Sequence, residues 1–205
     1  MKTRVYECKN VVTFRSTGAV LEKIKNYLQG EEGVFDFNSI KPIPEEIRDL
    51  ELFAIGKENF YYSRLRYDQC GLEHGYKLTD EWVKQNCLDP FTIRRLTREH
   101  TYLSRHDWCV QNWGMMLNTH EASYTYNEAL EQPDDNYGHN VGKCSELVYT
   151  FETVWSEPQH IYDLLYLYTK MFNMPVHFEW YFEDSVQDYK GYMEPSEHIR
   201  NCPVN

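Results

Sequence analysis

Hydrophobic and polar positions repeat with two periods along the chain, and the same succession of periods occurs near both ends. Val11-Val12-Thr13-Phe14 closes a β-rich run, and Ser16-Thr17-Gly18 offers a helix start. Val20, Leu21, Ile24, Tyr27 and Leu28 then recur at helical spacing until Gly30, a residue type that ends helices without steric cost. Val34-Phe35-Asp36-Phe37 alternates as a strand does and runs into Lys41-Pro42-Ile43-Pro44, whose prolines cannot donate to a central ladder. These segments predict a first β-α-β unit over residues 1–48.

The pattern returns over residues 144–193. Leu147 to Trp155 is rich in β-branched and aromatic residues and reads as a strand. Ser156 is placed to cap the helix that follows, with Gln159 completing a capping box and Pro158 suited to the first turn. Ile161, Leu164, Leu165, Tyr168 and Phe172 form its apolar stripe, and Asn173-Met174-Pro175 ends it. Next, Val176, Phe178, Trp180 and Phe182 alternate with His177, Glu179, Tyr181 and Glu183, which predicts a strand with one buried face.

Two such units packing helices on one face of an antiparallel sheet predict an α+β fold, a ferredoxin-like sandwich in a single domain. Residues 49–143 form an insertion too long for a bare loop, with short helices of its own, and residues 194–205 form a tail. Thr79-Asp80-Glu81 and Asp89-Pro90 are helix starts, the second leading through Ile93, Leu96 and Leu103 with Arg94, Arg95 and Arg98 on the wet side. Gln132 to Gly138 is a surface loop.

Composition fits a folded protein: 41% hydrophobic and 26% charged, with 17 Tyr, 10 Phe and 5 Trp. Charge changes the picture more. Residues 1–105 hold 17 basic against 16 acidic side chains, whereas residues 106–205 hold 4 against 16, so the net charge of −11 resides in the second half. Between Arg105 and Lys143 there is no Lys or Arg, and a phosphate backbone is repelled there. The start of the chain lacks the apolar run of a signal peptide and no stretch has membrane-spanning length, so a cytoplasmic location is expected. The six cysteines lie far apart without a C-x-x-C pair, which favours reduced thiols over a zinc module or a disulfide framework.

Trp108-Cys109-Val110-Gln111-Asn112-Trp113-Gly114 resembles the W-C-x-x-N-W-G signature of the YubB-like family of plasmid and prophage proteins. Phe35-Asp36-Phe37-Asn38-Ser39-Ile40-Lys41-Pro42-Ile43-Pro44 is similar to that family's F-D-F-x-x-I-x-P-x-P segment. Phe151-Glu152-Thr153-Val154-Trp155-Ser156-Glu157-Pro158 is similar to its F-x-T-x-W-S-x-P step. After Gly114 the family continues with a Thr-Lys-Trp-Asn run, of which Asn118 alone survives here behind Met115-Met116-Leu117. The resemblance implies a ferredoxin-like fold and an origin on a mobile genetic element, and carries no agreed activity.

Candidate chemistry is sparse. His106-Asp107-Trp108-Cys109 brings an imidazole, a carboxylate and a thiol together in sequence, but a lone cysteine is more often core than nucleophile. The other histidines show no H-x-x-x-H spacing and no P-C-x-x-C accompanies them, so no catalytic residue, metal ligand or cofactor is assigned. Asn112 and Asn118 are expected to bond backbone at turns. A nucleic-acid role through Arg64, Arg66, Arg94, Arg95 and Arg98 is the alternative, while the face bearing Glu152, His177, Glu179, Tyr181 and Glu183 is expected to be negative. The leading expectation is a non-enzymatic protein whose acidic, Tyr-rich surface docks on a host protein with a basic groove, and inhibits a nucleic-acid-handling defence enzyme. Its expected contacts are Glu128, Glu131, Asp134, Asp135, Glu179, Tyr181, Glu183, Asp184 and Asp188.

Overall fold

In a computed structural model of the chain, which describes residues 7–48, 50–55, 59–63, 84, 87–100, 104–130, 144–154, 156–172, 176–184 and 188–200, period-two burial governs the main sheet. Strand β1 (Glu7–Ser16) buries Cys8, Asn10, Val12, Phe14 and Ser16 and leaves the residues between them half-exposed or exposed. Alternating side chains of an extended strand point to opposite faces, so β1 has one inner and one outer face. The chain divides into two compact units, Met1–Pro42 with Asn112–Asn205, and Ile43–Gln111.

The first unit holds a five-stranded sheet in which β1 is central. Beside it lie strand β5 (Cys144–Val154) and strand β6 (His177–Asp184), with strand β4 (His120–Leu130) and strand β7 (Tyr189–Tyr192) at the edges. The order is β4-β5-β1-β6-β7 and every neighbouring pair is antiparallel. Helix α1 (Gly18–Leu28) buries Val20, Leu21, Ile24 and Leu28, the stripe expected from their spacing, and packs against β1 and β5. Helix α6 (Gln159–Lys170) buries Ile161, Tyr162 and Leu165, and its Tyr162 ring stacks on Phe178 of β6 at 5.2 Å.

The α+β class holds, but Val34–Phe37 is not a strand. The chain turns at Gly30, whose N–H donates to the Gly33 carbonyl at 3.0 Å, and Asp36 then caps helix α2 (Phe37–Ile40) by accepting from the Asn38 N–H at 2.8 Å. Phe35, Asp36 and Phe37 are all buried, which a strand with one wet face does not allow. Phe35 enters the centre of the inner face, stacked on Phe151 at 4.5 Å and edge-on to Tyr149 at 5.1 Å and Trp180 at 5.9 Å. Gly30 makes this approach possible, because a methyl group there would overlap the Asp36 carboxylate and the Ser39 hydroxyl. The strand that follows α1 in the sheet is β4, far along the chain and inside the segment read from sequence as the insertion.

The start of helix α6 differs from expectation. Helix α6 starts at Gln159 behind Pro158 without a side-chain cap. Ser156 instead places its hydroxyl 3.8 Å from the Met115 sulfur, and its carbonyl accepts from Thr153 Oγ1 at 2.8 Å. The Gln159 amide is held by Asp163 at 3.1 Å and by the Glu194 carbonyl at 2.9 Å, so it does not reach back to form the box. Buried Asp163 also accepts from the Ser196 N–H at 2.9 Å, just ahead of helix α7 (Glu197–Arg200).

The second unit contains helix α3 (Glu45–Arg48) and a hairpin of strands β2 (Glu51–Ile55) and β3 (Asn59–Ser63). Helix α4 (Pro90–His100) starts where Asp89-Pro90 predicts: the Asp89 carboxylate accepts from the N–H groups of Phe91 at 2.9 Å and Thr92 at 3.1 Å. Those bonds hold the Asp89 carboxyl below its usual pKa, the Thr92 hydroxyl contributing most. Leu96 is buried, while Arg94, Arg95 and Arg98 are exposed as expected. Helix α5 (Arg105–Trp113) is capped by Ser104, which accepts from the Asp107 N–H at 3.0 Å and donates to its carboxylate at 2.7 Å. The expected features at Thr79-Asp80-Glu81, Leu103, Gln132–Gly138, Trp155 and Asn173-Met174-Pro175 lie outside the described residues. Among the described residues no helix is long and apolar enough to cross a membrane.

Candidate functional site

The outer face of the five-stranded sheet collects the polar positions of β1, β4, β5, β6 and β7. Register places Lys190, Glu183, Lys9, Glu152 and His120 in one row across the sheet, and Tyr192, Tyr181, Val11, Thr150 and Ser123 in the next. A third row holds His177, Arg15, Glu146 and Asn127. The face is therefore not uniformly negative as the sequence suggested. Lys9, Arg15 and Lys190 stand between the glutamates, because strands that each look acidic or neutral in isolation are neighbours of a basic strand, and cross-strand pairs decide the local potential.

Arg15 bridges three strands, its Nε donating to Glu146 at 2.6 Å and its Nη1 to Glu179 at 3.2 Å. Burial opposes the Arg15 charge, yet the two carboxylates beside it hold its pKa above the ordinary guanidinium value. Glu179 also lies 3.2 Å from His177 Nε2. Of the expected contact residues, Glu179, Tyr181 and Glu183 come together on the outer face of β6, and Asp188 is exposed at the turn into β7 with φ 49°. Tyr181 is half-buried and meets Tyr192 edge-on at 5.4 Å. Glu128 is exposed on β4, separated from β6 by β5 and β1. Glu131, Asp134 and Asp135 lie outside the described residues.

Asp184 is a correction: it is buried and pairs in register with Cys8, on the inner face. It has the parity of Trp180 and Phe182, so its charge in the sequence concealed an inward position. Sequence reasoning also missed β7, which adds Tyr192 (68% exposed) to the outer face beside the β6 carboxylates, while Tyr189, in register with Asp184 and with its ring centroid 5.4 Å from that of Phe182, has the parity of the opposite face. The Tyr189-Lys190-Gly191-Tyr192 run is short and contains a glycine, and its alternation alone signals a strand only weakly.

At one corner of the same face Glu7, His120 and Glu152 converge. Each is half-buried and offers one potential ligand atom, all within 4.8 Å of one another. Burial, followed by the charges of Glu7 and Glu121, pushes the Glu152 carboxyl above the usual range, with His120 and Lys9 opposing.

The residues that raised chemical questions in the sequence have structural contacts. Asn118 accepts from the Phe37 N–H at 2.8 Å and the Thr119 N–H at 2.9 Å, and donates to Asp36 at 2.6 Å. Trp113 is fully buried and donates to the Lys41 carbonyl at 2.9 Å, and Gly114 takes the left-handed φ of 79° that ends α5. Cys109 is fully buried, as is Cys8, whose thiol is pushed up to about 11 by burial against an opposing hydrogen bond from Thr153. Only the thiolate reacts. In the folded protein at neutral pH, iodoacetamide labelling read by mass spectrometry is expected to modify Cys8 and Cys109 more slowly than the half-buried Cys87 and Cys144. Rapid modification of Cys109 would contradict the buried assignment. Comparison with protein-family models, curated proteins and solved structures finds no match to this chain.

Proposed function

We propose that this chain is a non-enzymatic accessory protein of a phage or plasmid that binds and inhibits a host nucleic-acid-handling defence protein, such as a CRISPR effector or a restriction enzyme. The resemblance of its Trp108–Gly114 and Phe35–Pro44 segments to the YubB-like family supports the mobile-element origin. The proposed scaffold is the ferredoxin-like sandwich, a reading supported by the succession β6-β1-β5-β4 with antiparallel neighbours, to which β7 adds one edge.

The observation carrying the reading is the β6–β7 strip of the outer face. There the exposed Tyr192 packs against Tyr181, with Glu179 and Glu183 on either side and Asp188 at the turn. Tyrosines with little conformational freedom make good anchors, and flanking carboxylates match the cationic groove of a protein that holds nucleic acid. Lys190, in register with Glu183, moderates the charge, so docking relies on the aromatic pair as well as on the carboxylates.

Binding to a purified CRISPR effector or restriction enzyme is expected to weaken as salt rises. Tyr192→Ala is expected to cost about 2 kcal/mol of affinity and Glu183→Gln less. Affinity indifferent to both salt and these substitutions would refute this docking mode.

A nucleic-acid-binding role has its own support, since Arg94 and Arg98 are exposed on α4 beside Phe91, and an exposed aromatic on an open sheet face, such as Tyr192, suits stacking by an unpaired base. In the same assay series, a low-salt gel shift with single- and double-stranded DNA and RNA separates the two. A shift abolished by Arg94→Gln with Arg98→Gln favours this second role.

A further inference from the structure

We propose that Glu7, His120 and Glu152 form a binding site for a divalent first-row transition-metal ion such as zinc or manganese. The three side chains come from β1, β4 and β5, brought together by sheet register although they are far apart in sequence. Glu152 faces His120 directly across the β4–β5 pair, and Glu7 lies diagonal to it, opposite Val154. Their candidate ligand atoms already lie within 4.8 Å of one another. That spacing suits ligand atoms that must each stand roughly 2.0–2.2 Å from a shared zinc ion.

A second observation is independent of the clustering. His120 Nδ1 is enclosed and has no hydrogen-bond partner among the described residues. A buried ring nitrogen without a partner is a cost that folded proteins rarely carry, and one that marks an absent ion or water. A metal ion bound at Nδ1 removes that cost directly, so the enclosed nitrogen points to Nδ1 as the ligand atom.

The backbone explains how an imidazole comes to occupy this corner. Between Ser123, opposite Thr150, and His120, opposite Glu152, strand β4 carries one residue more than β5. Regular pairing would place Glu121 against Glu152, two carboxylates face to face. The bulge instead turns Glu121 into the left-handed region, φ 52°, and brings His120 into register. A non-glycine residue there is held in a strained backbone conformation. The neighbouring Lys9, opposite Glu152 on β1, is exposed and offsets part of the negative charge, leaving Glu7, Glu121 and Glu152 against one lysine.

The donor set decides the class of ion. Imidazole with carboxylate suits zinc, manganese, iron(II) and cobalt(II) better than magnesium or calcium, which prefer all-oxygen shells. Three protein ligands leave a position open for water or for a side chain of a partner. The site is independent of the docking strip on β6 and β7, so either assignment can fail without the other.

The test uses the full chain after treatment with a chelator. Calorimetric titration with zinc, manganese and magnesium chlorides is expected to show one zinc or manganese ion per chain and weaker magnesium binding. His120→Ala and Glu152→Gln, each checked for native circular dichroism, should each lose more than the roughly 10–100-fold in affinity that an outer-sphere partner is worth. On the unaltered protein, manganese should broaden the His120 imidazole signal before those of the other histidines in a chain that has 8. Absence of binding by zinc and manganese, unchanged affinity in both variants, or first broadening at another histidine would each overturn the assignment.

Discussion

Trp180→Ala is expected to lower the unfolding free energy by about 5 kcal/mol, the upper end for a buried aromatic, read as a lower urea midpoint at an unchanged slope. The indole is fully buried at the centre of the inner face, with ring centroids of Phe151 at 5.6 Å and of Tyr162 and Phe35 each at 5.9 Å. Its Nε1 also donates to Asn10 Oδ1 at 3.0 Å, while Asn10 Nδ2 donates to Thr153 Oγ1 and to the Cys8 carbonyl, each at 2.9 Å. These bonds run from β6 through β1 to β5 in the buried interior. Alanine therefore leaves a cavity and also orphans a buried acceptor, a separate loss of about 1–3 kcal/mol. Trp180→Phe is expected to lose chiefly the second part. In a double-mutant cycle with Asn10→Ala its effect should be less than additive, and full additivity would show that the bond contributes nothing.

Asp36→Ala is expected to cost about 3 kcal/mol by the same measurement. This carboxylate is buried and accepts from the Glu32 N–H at 3.3 Å, the Asn38 N–H at 2.8 Å and Asn118 Nδ2 at 2.6 Å. It is at once the cap of α2 and the fastening between the Gly30–Asp36 turn and the segment after Gly114. Loss of a cap costs about 0.5–2 kcal/mol, and donors left unpaired in a buried place add about 1–3. Asp36→Asn keeps the shape and one acceptor, so it should fall between alanine and the unaltered protein. A loss below 1 kcal/mol for Asp36→Ala would mean that the turn does not depend on this side chain.

Where a single strand or helix carries its own period, the sequence was readable. The alternation around Trp180, the β-rich run before Trp155 and the stripes of α1 and α6 all predict elements that the structure contains. Misreading arose where two patterns compete. Phe35 and Phe37 alternate like strand residues, but a buried capping aspartate stands between them and Gly30 leaves room for a turn to fold inward. Strand β4 holds a tyrosine and threonine alternation at Ser123 to Tyr126, yet a bulge at either end interrupts its register. The candidate sites depend on information that no single segment holds. Nothing local to His120 predicts Glu7 or Glu152 beside it, and nothing local to Glu179 predicts Arg15. Asp184 shows the converse, a charge that reads as surface until strand parity turns it inward.

The position of β1 also governs the order in which the protein acquires shape. Of the strands in this sheet β1 is made first on the ribosome, yet its neighbours β5 (from Cys144) and β6 (from His177) follow only after the long segment between Ser16 and Cys144. Val12 and Phe14 must therefore wait, apolar and unpaired, until Leu147 and Tyr149 emerge on β5, and half-partnered until Phe178 and Trp180 follow on β6. Contacts so distant in sequence close slowly and expose sticky surface meanwhile. Nascent chains halted before β6 should consequently be held by chaperones or aggregate, and the scaffold becomes self-supporting only once that strand has emerged.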